Sequence, residues 1–159
     1  MGEDSLSIQR VSGFFSLLFG MSKAHLDYCA RAVADLRLPR SHIAILLALA
    51  GDSGETTANS LCQRLHLTKG RVSQALDALA AKGFVTASVS VQDRRVHPIS
   101  LTAEAAPTIA RLEEATRVFI QEIMVDIDGE EMAAACHVTQ QMYQNMQKLQ
   151  DDPLKMKDQ

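Results

Sequence analysis

Cysteine is scarce in this 159-residue chain: Cys29, Cys62 and Cys136 stand at wide spacings and form no CxxC pair. An odd, scattered set excludes a disulfide scaffold and fits a reduced, cytoplasmic protein, with each thiol expected as a small buried apolar group. Long apolar runs are missing too. Val11 to Met21 is too short for a bilayer and follows an acidic start, so neither a membrane span nor an export signal is expected. Leu6 misses the pattern for N-terminal acylation. There is no nucleophile elbow, no glycine-rich phosphate loop, no His-Glu metal motif and no carboxylate pair with placed partners. The expectation is therefore not an enzyme, with no cofactor and no metal.

An overall excess of positive charge is also lacking, since the formal net charge is −3. Its distribution matters more than its total. From Thr57 to Ser100 there are six cations, Arg64, Lys69, Arg71, Lys82, Arg94 and Arg95, against Asp77 and Asp93. That local net of +4 leaves −7 for the remainder. The 47% apolar content is enough for a real core, so disorder is not the default.

Apolar residues at three- and four-residue steps, Ile8, Val11, Phe15, Leu18, Leu26, Cys29, Val33 and Leu36, predict a long first helix from about Ser5 to Leu36. Pro39 suits the first position of a second helix carrying Ile43, Ile45, Leu46, Leu47 and Leu49, which Gly51 to Gly54 ends. Thr57 or Thr56 caps a third helix packed through Leu61 and Leu65. His66-Leu67 turns into Thr68, the cap of a fourth helix that Gly83 stops. Strands are expected over Phe84 to Ser90 and Val96 to Leu101, with Pro98 suggesting an edge. Thr102 caps a fifth helix reaching about Ile127, although Pro107 lies late enough to delay or bend its start. Asp128 and Glu131 read as a capping pair for a sixth helix, whose Met132, Cys136, Thr139, Met142, Met146 and Leu149 suit helix-to-helix burial.

Helix, helix, then a basic-tipped hairpin is the outline of a winged helix-turn-helix, which can lay one helix in a DNA major groove with a hairpin beside it. On the fourth helix Val72, Leu76 and Leu79 share one side, leaving Gly70, Ser73, Gln74 and Asp77 opposite and Arg71 on the flank. Gln74 can offer donor and acceptor to adenine, Arg71 can fork onto guanine or hold phosphate, and Ser73 can bond to either kind of group. Gly70 costs the helix about 1 kcal/mol against alanine, which makes sense if another backbone must approach closely. Helix-opening N–H groups near Thr57 and Thr68 suit phosphate. At the hairpin tip Asp93-Arg94-Arg95, one arginine can enter a narrow minor groove while Asp93 holds the other. Each of these patterns alone also suits a solvated surface helix or turn. Asp77 argues against DNA unless it accepts from cytosine or pairs with an arginine.

The run Leu67-Thr68-Lys69-Gly70-Arg71-Val72-Ser73-Gln74-Ala75-Leu76-Asp77-Ala78-Leu79, followed by Lys82-Gly83-Phe84-Val85, Asp93-Arg94-Arg95 and Leu101-Thr102, resembles the MarR family of bacterial transcription factors. That resemblance implies a mainly α fold with a small β wing: a winged helix-turn-helix over residues 37–101 and long dimerisation helices in 1–36 and 102–159. It implies a homodimer on double-stranded DNA, with half-sites of a pseudo-palindromic operator roughly 34 Å apart, acting most often as a repressor. It also implies release by a small-molecule effector, an oxidant or a metal. The pocket it implies lies among the first, second and fifth helices, where Met21, His25, Cys29, His42 and Ile45 are expected. His25 and Cys29 lie four residues apart, a spacing that permits shared metal coordination, but without further ligands a packed or hydrogen-bonded His25 is the expectation. Only Cys62, near Arg64, has a basic neighbour that could favour a reactive thiolate. Gln74, Thr86-Ala87 and Ala105 depart from the family's arginine, basic wing and glycine. The alternative function is a winged-helix adaptor that docks on proteins and reads no operator.

Overall fold

Helix ends, where backbone groups lose their intrahelical partners, set the layout of this chain. The computed structural model describes residues 8–52, 56–88 and 97–151. Helix α1 spans Ile8–Ala32, α2 Arg40–Ala50, α3 Ala58–Leu65 and α4 Lys69–Ala81. Strands β1 (Val85–Ala87) and β2 (Ile99–Leu101) follow, then α5 (Ala106–Ile123) and α6 (Gly129–Asp151). This is the mainly α fold with a small β wing.

The first helix stops four residues short of the expected Leu36. A 3-10 turn, Ala34–Leu36, replaces its last turn, and Arg37 reverses the chain at φ 50°. The freed Ala32 carbonyl accepts from Arg111 Nε at 3.0 Å and Nη2 at 2.6 Å, and the same guanidinium pairs with Asp35. Pro39 is the residue before α2, in extended conformation, one place earlier than predicted.

Local caps behave as the sequence suggests. Thr57 accepts from Ser60 N–H at 3.2 Å, and Ser60 Oγ returns the bond to the Thr57 N–H at 2.9 Å. Thr68 accepts from Arg71 N–H. The end of α4 closes when Gly83 N–H bonds to Ala80 O and Phe84 N–H to Leu79 O, with Gly83 at φ 74° as only glycine adopts easily. Asp128 and Glu131 exchange side-chain and backbone bonds at the start of α6.

The strands pair antiparallel, Val85 opposite Leu101 and Ala87 opposite Ile99. Each is shorter than expected; residues 89–90 and 96 of the expected strands lie outside the described residues. Pro98 accepts from Ser88 N–H but has no N–H to return, which ends the ladder. It does not mark a free edge, because Ile99 N–H bonds on the other side to Thr56 O at 2.7 Å. The Thr102 hydroxyl donates to Gly83 O rather than capping, and a 3-10 turn, Ala103–Ala105, delays α5.

The described residues divide into two compact units between Phe119 and Ile120. The first unit's core centres on α2: Ile43, Ile45 and Leu46 are fully buried with Cys29, Leu61, Val72, Leu79 and Leu112. Ala75 is buried on α4 in place of the expected Leu76, which is only partly covered. None of the described side chains of α6 is buried. No described helix is long and apolar enough to cross a membrane.

Candidate nucleic-acid interface

Burial of Val72, Ala75 and Leu79 fixes the rotation of α4 on the core and turns Lys69, Gly70, Arg71, Ser73 and Gln74 to solvent. The polar side chains leave α4 on two flanks. Lys69, Ser73 and Asp77 line a cleft of about 420 Å³ that also takes in Cys62 of α3 and Thr86 and His97 of the sheet region. Arg71, Gln74 and Ala78 line a separate groove of about 600 Å³ beside the first turn of α2. A Cβ on Gly70 would meet nothing within 4 Å, so the chain's own packing does not require glycine there.

Thr57 and Thr68 use their hydroxyl oxygens as cap acceptors, which leaves each O–H free to donate outward. Behind Thr57, Thr56 is buried, and its hydroxyl donates to Asp52 at 2.6 Å while its carbonyl takes Ile99 N–H. Asp52 also accepts from Arg64 Nη1 at 2.6 Å, and Arg64 Nη2 reaches Ala48 O. This network ties α2, α3 and β2 together, so the sheet base is held against the helices by part-buried and exposed polar bonds. Arg64 is thereby occupied by Asp52 and Ala48. Arg94 and Arg95, with Asp93, lie outside the described residues.

The residues expected in an effector pocket do not converge. His25 and Cys29 do meet, and Thr116 of α5 joins them: His25 Nε2 is 2.9 Å from Thr116 Oγ1 and 3.4 Å from Cys29 Sγ. Burial lowers the His25 pKa and raises that of Cys29, so the ring tends to neutrality and the thiol stays protonated. Phe119 packs on both His25 and Tyr28, with centroids 5.3 and 5.7 Å apart. Ile45 is core, Met21 is exposed, and His42 faces the groove beside Arg71 and Gln74. Among the described residues no three His, Cys, Asp or Glu side chains gather as a metal site. The sequence carries one signal for Thr116, a hydroxyl beside the Leu112-Ala115-Phe119 stripe.

A different crevice, about 630 Å³, runs between α1, α2 and the α3–α4 turn, and His25, Arg40, Arg64, His66 and Arg71 line it. Four of these five residues were not expected in a pocket. They come from three separate stretches that only the fold brings together.

Residues 38–96 match the sequence profile of the MarR family. Over that stretch the chain resembles MarR-family transcriptional regulators. MarR proteins are transcriptional regulators rather than enzymes. The chain is similar over 85% of its length, and 98% of the other's, to transcriptional regulator PA3341, at 27% identity and TM-score 0.77. It shares its fold with a MarR transcriptional regulator from Methanosarcina mazei Go1 at 16% identity and TM-score 0.70, covering 87% of this chain and 99% of that one. The fold also matches Staphylococcus aureus MarR, solved in complex with salicylate and kanamycin, at 17% identity and TM-score 0.69, over 89% and 95% of the two chains.

Proposed function

We propose that this chain is a MarR-type regulator: a cytoplasmic, homodimeric repressor that reads a pseudo-palindromic operator and leaves it when a small organic molecule binds. The observation that carries the reading is the rotation of α4: three buried residues hold it so that Gly70, Arg71, Ser73 and Gln74 form an exposed crest. Arg71 and Gln74 have the donor and acceptor geometry for base edges, while Lys69, Thr57 and Thr68 suit phosphates. Arg94 and Arg95 of the wing supply minor-groove contacts in this scheme. Residues 37–101 serve as the reading module, and 1–36 with 102–159 join the two copies.

A second copy is favoured by what α1 and α6 leave uncovered. Phe15, Leu17 and Phe19 on α1, and Val138, Met146 and Leu149 on α6, are exposed apolar side chains, more than a lone soluble chain keeps without use. For the effector, the arginine- and histidine-lined crevice between α1, α2 and the α3–α4 turn favours an anionic ring compound, as with the salicylate in the Staphylococcus aureus complex. It takes the place of the expected cluster at Met21, His25, Cys29, His42 and Ile45.

The test compares wild type with the double variant Arg94→Ala plus Arg95→Ala for binding to the gene's own upstream DNA across salt. Weaker binding, with the salt slope flattened by about one or two units, is expected. Unchanged affinity and slope would favour the adaptor instead.

A further inference from the structure

We propose that the first turn of α2 is a second phosphate-gripping element of the interface, an inference that rests on the assignment of α4 as the reading helix. A major groove about 12 Å wide is bordered by two phosphate strands, so a helix lying in it meets one strand on each flank. On the Lys69-Ser73-Asp77 flank stand α3 and the sheet. On the Arg71-Gln74-Ala78 flank the opposite wall is made by Arg40, Ser41 and His42. The opening turn of α2 is therefore placed where the second strand runs.

The chemistry of that wall fits a phosphate. Arg40 is exposed and pairs with the less accessible but still exposed carboxylate of Asp27, a surface pair weak enough to be exchanged for a stronger anion. Ser41 adds a hydroxyl. His42 lines the same wall, and its Nδ1 is buried with no hydrogen-bond partner among the described residues. The lining of the groove carries two cations, Arg40 and Arg71.

Breaking the Arg40–Asp27 pair from either side gives the decisive readout. A duplex selected by the wild-type protein from a random pool is titrated across salt with Arg40→Ala, Ser41→Ala, Asp27→Asn and, as the reading control, Arg71→Ala, each checked for unchanged helicity and melting. Arg40→Ala should weaken binding about 5- to 20-fold and lower the salt slope by about one unit. Asp27→Asn breaks the same pair but frees the guanidinium, and should tighten binding about threefold. Opposite signs support a phosphate contact. If both variants shift affinity the same way, or leave affinity and slope unchanged while Arg71→Ala still loses binding, the α2 grip is overturned and the α4 reading survives. If no duplex is selected, or Arg71→Ala binds as wild type, the reading fails and takes the grip with it.

Discussion

The core around α2 and the long helix α6 treat their apolar residues in opposite ways. Ile43, Ile45 and Leu46 are wholly buried by neighbours from the same chain, whereas Val138, Met146 and Leu149 of α6 stand exposed. Both segments are helical with apolar residues at helical spacing. One completes its own core and the other presents a stripe, so periodicity states that a face will be covered without stating by what. The α2 core is closed by its own chain, whereas the apolar side chains of α6 stay uncovered.

The largest break in that contrast comes from the core. Leu46→Ala removes a fully buried side chain and should cost about 2–5 kcal/mol in urea unfolding. Met146→Ala at matched protein concentration, followed below the dimer dissociation range, should cost far less. Equal losses would mean that α6 is packed as tightly as α2 within one chain, and the contrast would be void.

Second in size is the pairing itself. Phe15 and Phe19 are 54% and 74% exposed on α1. Charging both, Phe15→Lys with Phe19→Lys, should weaken self-association by about 2 kcal/mol or more in sedimentation equilibrium. The unfolding transition of the separated chain should keep its cooperativity. A double variant that still sediments as wild type would remove α1 from the subunit contact.

Legibility in the sequence followed the range of the interactions. Caps at Thr57, Thr68 and Asp128–Glu131, and the Gly83 stop, were readable because each is made within about one turn. The early end of α1 was not, since Arg111 holds Ala32 O from 79 residues away. Thr102 has the sequence mark of a local cap, because its long-range bond to Gly83 O leaves no trace nearby. On the candidate interface, the exposed side of α4 was legible from period alone. The α2 wall was not: Arg40, Ser41 and His42 face Arg71 and Gln74 only through tertiary packing, and His42 had been expected with His25.

The smallest effect separates those two histidines. Burial lowers the pKa of both from the ordinary 6.5, with the charge of Lys82 adding to the effect at His42. Each ring is therefore more readily protonated in the unfolded chain, so its contribution is present above about pH 6.5 and is lost as pH falls through the lowered folded value. Asp27, Asp35 and Glu114 have pKa values held below the usual carboxylate range by their arginine partners, so their stabilising share disappears only at lower pH. A window from about pH 7 to 5.5 thus reports mainly the imidazoles. His25→Gln keeps a hydrogen-bonding group for Thr116 and removes one titrating ring, so urea midpoints should fall less steeply with acid than in wild type. The remaining slope should vanish when His42→Gln is added. An unchanged slope in the single variant would mean that His25 is as free to protonate in the fold as in water, and that the Thr116–His25–Cys29 contact does not discriminate between charge states.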